Sequence, residues 1–454
     1  MKTIGIIGGG FSGMITAIHL LRKNNSIEVI LFDPKSKGQG IAYSPQSDAV
    51  LLNVMTSKMS AFANEPLHFL NWCKEKDPYR NISDELLGQS FMPRSLYGNY
   101  LQDLYELNLE NNSRFKHVKE NVLEIKLNGH IQLLKTNSKQ ISVDKTVLAT
   151  GNALPSNHVV PKGLIYDNRY HQNPWNIDFS KISKSKPLVI IGNGLSMVDT
   201  IMELRKRKFD QHIYAVSPNG FNILPHRQFN FNYDGPLKNN PDQYSLRELL
   251  HLFKTELRKL KAFGISAEPL VDTLRPYTQS IWKKMTHEEK QIFMKKLRHL
   301  WGQARHRLPF VSYDFILKEQ ISENLSILAG KLIEFRSDQN ELSVTIHQRK
   351  NKKAYTINCS AVINCTGPET NYRKIEGNLI GNLISEGILC QDSLFLGIEA
   401  DDQFRTLDSD SNTHNIYALG PLLKGKLWES TAVNELRTQA ERLAEIISRD
   451  LEVA

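Results

Sequence analysis

Twice along the 454 residues a short apolar strand runs into a glycine-rich turn and then a helix, and twice a later apolar strand ends in Thr-Gly. With a globular composition, 40% hydrophobic and 23% charged, this repetition predicts an α/β protein. Its expected architecture is two nested Rossmann-like dinucleotide-binding domains with a helical insertion in the second. The expected division is 1–160 for the first part of one domain, 185–355 for the other with its insertion at about 236–310, and 356–454 for the completion of the first.

The first copy opens with the strand Lys2–Ile7, the turn Gly8-Gly9-Gly10-Phe11-Ser12-Gly13 and an apolar-periodic helix to about Arg22. One lysine before an apolar stretch imitates a leader peptide, but three consecutive glycines would break its apolar region and no small-residue cleavage site follows. The glycines divide the work of such a turn. Gly8 permits the tight bend, Gly10 lets backbone approach a pyrophosphate, and Gly13 lets helix pack on strand. Asp33, twenty residues after Gly13 at the end of Val29–Phe32, is placed to accept hydrogen bonds from a ribose diol. Val118–Ile125 and Ile131–Leu134 read as a β-meander, and Thr146–Ala149 ends in Thr150-Gly151.

The second copy opens with Pro187–Ile191, Gly192-Asn193-Gly194-Leu195-Ser196-Met197 and a helix to about Arg207. Ser217 lies twenty residues beyond Met197, where the first copy has its aspartate. A carboxylate there would repel a 2′-phosphate and a serine would not, so NADPH is expected over NADH, with NADH still open. Arg227, beside His226, is the expected phosphate partner. Arg205 and Arg207 have two readings, a phosphate contact or cations stabilising a helix C-terminus. Leu325–Glu334 and Leu342–Gln348 read as this copy's meander, and Ala361–Cys365 ends in Thr366-Gly367.

Between the halves of the second copy, Ser245 with Glu248 and Thr286 with Glu289 are spaced as capping boxes. Leu246, Leu249, Leu250, Phe253, Leu257 and Leu260 follow one helical face that Gly264 closes. The chain returns with Asn415–Leu419, Gly420-Pro421 and a helix whose face is Val433, Leu436, Ala440, Leu443 and Ile447.

Several classes are disfavoured. The net charge is +9, and Arg247–Arg307 alone carries 14 Lys/Arg against 6 Asp/Glu. That basic stretch lies on amphipathic helices without a nucleic-acid motif, so a solvated face is expected and a nucleic-acid partner is not. Uninterrupted apolar runs of only a few residues predict no membrane span. Cys73, Cys359, Cys365 and Cys390 form no C-x-x-C pair and no zinc or haem spacing, which suits a reduced cytoplasmic setting. No metal or Ser-His-Asp constellation stands out. A small-molecule substrate and a possible homo-oligomer complete the expectation.

Beyond these motifs, GQGIAYS (38–44), LLNVMTSKMSAF (51–62), FMPRSLYGNYL (91–101), GNGLSMVD (192–199), LRPYTQSIWKKM (274–285), INCTGP (363–368) and ALGPLLKGKLWESTAV (418–433) resemble a bacterial family of FAD/NAD(P)-binding proteins. The chain is more distantly similar to class B flavin monooxygenases, including the amine N-hydroxylating group. Their G-x-G-x-S motif is matched by Gly192, Gly194 and Ser196, and their A-T-G strand end with following prolines by Ala149-Thr150-Gly151, Pro155 and Pro161. Their linker signature is half present, with His171 and Trp175 but no preceding F-x-G.

The resemblance implies FAD on the first fold and a nicotinamide cofactor on the second. It implies that Leu52, Asn53, Val54 and Met55 line the flavin ring and that Gly420 approaches the FAD pyrophosphate or ribitol. A helix starting near Ser430-Thr431 would aim its N-terminus at the flavin, or simply be capped there. Arg94, His171, Arg305 and Arg307 are candidate substrate or nicotinamide contacts, since arginine forks suit carboxylates and phosphates. The function implied is an FAD-dependent NAD(P)H oxidoreductase, a monooxygenase of a small anionic or amino-bearing molecule; a reductase or dehydrogenase and a non-catalytic flavin-binding sensor are the alternatives.

Overall fold

The structure is a computed structural model that describes residues 1–35, 37–44, 47–227, 231–339 and 341–452. The chain divides into two units, one of residues 1–48, 54–153 and 369–454, the other of residues 49–53 and 154–368. In chain order, the first unit begins with β1 (Lys2–Ile7), α1 (Phe11–Lys23), β2 (Ile27–Phe32), α2 (Arg94–Tyr105), β3 (Phe115–Val118), β4 (Glu124–Asn128), β5 (Ile131–Lys135), β6 (Gln140–Val143) and β7 (Lys145–Leu148). The second holds β8 (Tyr170–His171), β9 (Leu188–Ile191), α3 (Leu195–Lys206), β10 (Ile213–Ser217), α4 (Leu246–Ala262), β11 (Leu325–Ser337), β12 (Leu342–Gln348), β13 (Ala354–Cys359) and β14 (Ala361–Asn364). The first unit then ends with β15 (Arg405–Leu407), β16 (Thr413–Ala418) and α5 (Val433–Glu452).

In the first unit the described strands form a sheet in the order β15-β16-β7-β1-β2-β3, parallel except for β15. Ile4, Ile6, Val29 and Leu31 are fully buried, as near-continuous apolar strands of a parallel sheet covered on both faces must be. Helices α1 and α5 pack together, and Lys23 meets Glu445 at 2.9 Å across them. Phe115–Val118 is an edge strand paired with β2, so the meander expected from Val118 begins only at Glu124. That meander, β4-β5-β6, lies against β1, where a Cβ on Gly5 would come within 2.7 Å of Leu134 Cδ1.

The second unit repeats the parallel core in the order β11-β10-β9-β14-β8. Its expected separate meander is corrected. Leu325–Ala329 pairs in parallel with β10, and Gly330–Ser337 then pairs antiparallel with β12, so the strands extend the main sheet. One long strand does both jobs because a bulge between Leu332 and Glu334 re-aims it. The segment from 356, expected to start the completion of the first domain, contains β14, which pairs with β9; the change of unit follows Pro368.

Both capping boxes of the insertion form, Ser245 with Glu248 and Thr286 with Glu289. Gly264, at φ +70°, follows the end of α4 in the left-handed conformation that a helix stop favours. The face of α4 buries Leu246, Leu249 and Leu260. No helix among the described residues is long and apolar enough to cross a membrane.

Candidate functional site

In the first unit, β1 delivers the chain into a turn that only glycine can make. Gly8 has φ +107°, and a Cβ there would sit 2.3 Å from the Ala149 carbonyl oxygen at the end of β7. A Cβ on Gly13 would sit 1.9 Å from the Gly8 oxygen, which fixes how closely α1 starts on β1. Gly10 differs: its missing side chain faces only the Gly40 backbone, with the Cα at 3.4 Å. Gly10 is also the N-cap of α1, with no side chain capping it and no acidic residue in the first turn. Among the described residues the first N–H groups of α1 therefore have no side-chain acceptor, which is the condition for an anion to bind there.

Around this turn Phe11 is buried, and the Thr16 hydroxyl donates to the Ser12 carbonyl at 2.8 Å. Asp33 accepts the Gly9 N–H at 2.8 Å and the Lys35 N–H at 2.9 Å. It thus braces the loop from the end of β2. Thr150 is exposed and Gly151 has φ +69°. Gly420, at φ +73°, would place a Cβ 3.6 Å from Ser12 Oγ, so the end of β16 closes on the same turn.

The second unit builds the same device again. Gly192 has φ +103° and its Cβ would lie 2.4 Å from the Cys365 oxygen at the end of β14. Gly194 is the uncapped N-cap of α3, and its Cβ would meet no atom within 4 Å. Leu195 starts the helix, and Thr200 donates to the Ser196 carbonyl at 2.8 Å, as Thr16 does to Ser12. Ser217 ends β10, buried, its hydroxyl accepting the Gly220 N–H at 3.0 Å.

Other candidates are placed differently from expectation. Arg205 is held by Glu319 and by the carbonyls of Gln211 and Asn324, and Arg207 by Glu203. Both sit at the C-terminal end of α3, so the helix-end reading holds for them. Arg307, offered for substrate, is a structural pin. Its guanidinium is buried, meets both oxygens of Asp272 at 3.0 Å and donates to the Glu268 carbonyl. Arg305 closes the helix two residues earlier.

Arg227 faces the Phe231 ring at 5.8 Å, with Nη1 buried and unpartnered. The unit division falls between Asn53 and Val54, and the Asn53 carbonyl lies 2.9 Å from His226 Nε2. His171 ends β8, and burial lowers its pKa. Arg94 begins α2, its charge close enough to Tyr43 to oppose the rise that burial gives that phenol. Ser430 does not cap α5, which starts at Val433: its hydroxyl donates to the Gly420 carbonyl at 2.9 Å, and Thr431 is exposed.

Sequence reasoning missed Gln439, Arg437 and Tyr97. Gln439 accepts the Gly420 N–H at 3.0 Å and leaves Nε2 buried without a partner. Arg437 donates from Nη1 to the Ser60 carbonyl, while its Nε is buried and unpaired. Tyr97 is fully buried with an unpartnered hydroxyl near that guanidinium, its pKa pushed up by burial. A signal for Gln439 existed, a polar residue next to Ala440 on an otherwise apolar helical face. The orphaned Gln439 amide, next to the Gly420 that closes on the uncapped, acid-free turn, fits a bound phosphate-bearing group.

The fold and the paired turns define a protein of two dinucleotide-binding domains. Residues 5–153 match the model of a family described as FAD-NAD(P)-binding. An uncharacterised protein of Escherichia coli K12, YdhS, is 25% identical over 218 residues, which span 44% of this chain and 39% of that protein. Among solved structures, the ornithine N-hydroxylase of Kutzneria sp. 744, with reduced FAD, NADP+ and L-ornithine, matches with a TM-score of 0.69 at 13% identity over 99% of both chains. The L-lysine 6-monooxygenase of Pseudomonas syringae matches with 0.69 at 14% over 99% of both. A thioredoxin reductase of Lactococcus lactis matches with 0.54 at 11% over 100% of both. These structural likenesses show the fold. Among the described residues no group of three or more His, Cys, Asp or Glu is placed to hold a metal.

Proposed function

We propose that the chain is an FAD-dependent NAD(P)H oxidoreductase, and within that class a monooxygenase of a small amino-bearing or anionic molecule. The observation that carries the reading is the duplication of one uncapped glycine turn, down to the same carbonyl approach at Gly8 and Gly192. FAD would be held by Gly8, Gly10, Phe11, Ser12, Gly13, Asp33 and Gly420, and the pyridine nucleotide by Gly192, Gly194, Leu195, Ser196 and Ser217. When bound, FAD supplies two-electron redox chemistry with NADPH and the reaction with oxygen.

The protein's own part is binding, orientation and charge. The first N–H groups of α1 and α3 would receive the phosphates, and Gln439 holds Gly420 against the first turn. Arg437, braced on Ser60, keeps a positive charge beside Tyr97. That charge favours an anionic ligand group.

Thiol chemistry of the disulfide-reductase kind is disfavoured by a specific feature. Burial pushes the thiols of Cys73, Cys359 and Cys365 up to about 12, leaving them protonated and inaccessible as nucleophiles. The deciding experiment is NADPH oxidation in air across a panel of small diamines, amino acids and carboxylates, with product analysis. A substrate that raises NADPH consumption and appears oxygenated supports the monooxygenase. Consumption that yields only hydrogen peroxide with every compound moves the assignment to a reductase or oxidase.

A further inference from the structure

The turn after β12 places an arginine at the end of β10, the position where dinucleotide folds meet the adenosine ribose. Arg349 donates from Nη1 to Asn219 Oδ1 at 2.5 Å and to the Pro218 carbonyl at 3.4 Å. Its backbone N–H is fixed on the Ala329 carbonyl at 2.8 Å. Asn219 and Pro218 directly follow Ser217, whose strand also reaches the glycine turn, since the Gly192 N–H donates to the Val216 carbonyl at 2.7 Å. On the other side Asn193, inside that turn, holds the Phe221 carbonyl. Glycine turn, Ser217 and Arg349 thus belong to one bonded edge of the second unit.

The anchoring uses one nitrogen. Among the described residues no partner is found for Arg349 Nε or Nη2, and no carboxylate pairs with the guanidinium. Those two nitrogens form the parallel fork that grips a phosphate in bidentate fashion. Lys350, Lys352 and Lys353 share the turn with no acidic residue among them, which raises the positive potential at that edge. Ser217, with its hydroxyl spent on Gly220, brings no negative charge to oppose it.

Resting on the proposed pyridine-nucleotide reading, we infer that Arg349 recognises the 2′-phosphate of NADPH and sets the preference over NADH, a role the sequence alone gave to Arg227. Neither periodicity nor spacing pointed to it, because Arg349 lies 132 positions beyond Ser217 and reaches it only through the pairing of β10, β11 and β12.

The experiment is calorimetric titration of the flavin-loaded full chain with adenosine 2′,5′-bisphosphate and with adenosine 5′-monophosphate, for wild type, Arg349→Ala, Arg349→Lys and Arg227→Ala. Wild type should prefer the bisphosphate. Arg349→Ala should weaken the bisphosphate by roughly 10–100-fold, the range for a lost charge-assisted bond, and leave the monophosphate unchanged. Arg349→Lys should recover part of the loss, since it returns the charge without the fork. An unchanged bisphosphate affinity in Arg349→Ala overturns the inference, as does an equal loss for both nucleotides, which would make the arginine a brace for the turn. A selective loss in Arg227→Ala alone overturns it in favour of that residue. Wild type binding both nucleotides equally overturns the 2′-phosphate role while the function survives; wild type binding neither overturns the nucleotide reading itself.

Discussion

Gly10 and Gly13 are three residues apart and fail in opposite ways when substituted. A side chain on Gly13 collides with the Gly8 carbonyl, so Gly13→Ala disturbs the fold; urea unfolding should show a loss of about 1–3 kcal/mol, the usual cost of overpacking. A Cβ on Gly10 meets only the Gly40 backbone, so Gly10→Leu should empty the protein of FAD and unfold cooperatively at the midpoint of flavin-stripped wild type. A yellow Gly10→Leu protein with full flavin content would remove the first turn from the FAD site. His19, on α1, makes a different point. It is buried edge-on to Phe62 at 5.9 Å, and burial, then Arg22 and Lys23, lower its pKa to about 4. The unfolded chain titrates at the ordinary 6.5, so the unfolded state binds the extra proton first. Stability is therefore full above that value and declines as pH falls from 6.5 towards 4, by about 3 kcal/mol at most. Denaturation at neutral and at acid pH should show a shallower acid loss for His19→Leu than for wild type; identical slopes would mean His19 is not the group responsible.

At the scale of elements, legibility followed periodicity. The strands β1, β2, β9 and β10, both helices behind the glycine turns and both capping boxes could be read because each is specified by residues a few positions apart. What could not be read depends on pairing between distant segments. Phe115–Val118 alternates no differently from a hairpin strand, and only its parallel partner β2 makes it part of the main sheet. The same holds for β11, which changes partner midway, and for Arg307, whose role rests on Asp272 thirty-five residues earlier. Replacing Ser245 by alanine removes one half of a capping box and should cost about 1 kcal/mol in chemical denaturation without touching flavin content. Arg307→Met should likewise lower stability, by about 1–3 kcal/mol, and leave NADPH affinity as it was. A selective loss of nucleotide binding in Arg307→Met would restore that residue to the ligand contacts.

Across the whole molecule, the duplication is the strongest statement in the sequence and the most fully realised in the structure. Two turns separated by 184 positions share a positive-φ glycine, a carbonyl approach from a neighbouring strand, a bare N-cap and a Ser-to-Thr bond in the first helical turn. They part where their ligands would differ: Asp33 reaches back to its loop, whereas Ser217 secures its own turn beside Arg349. Gln439, Arg437 and the Arg349 edge stayed hidden because their meaning comes from contacts to Gly420, Ser60 and Asn219, none of which a single sequence displays.

The central claim is that one chain holds a flavin on its first turn and the nucleotide that reduces it on its second. Anaerobic rapid mixing of the purified protein with NADPH, and separately with NADH, tests it by following the visible absorbance of the flavin. The protein is expected to carry FAD, and NADPH to bleach it at a lower concentration than NADH does. Bound FAD that neither nucleotide reduces would contradict the claim and leave the second turn without its proposed role.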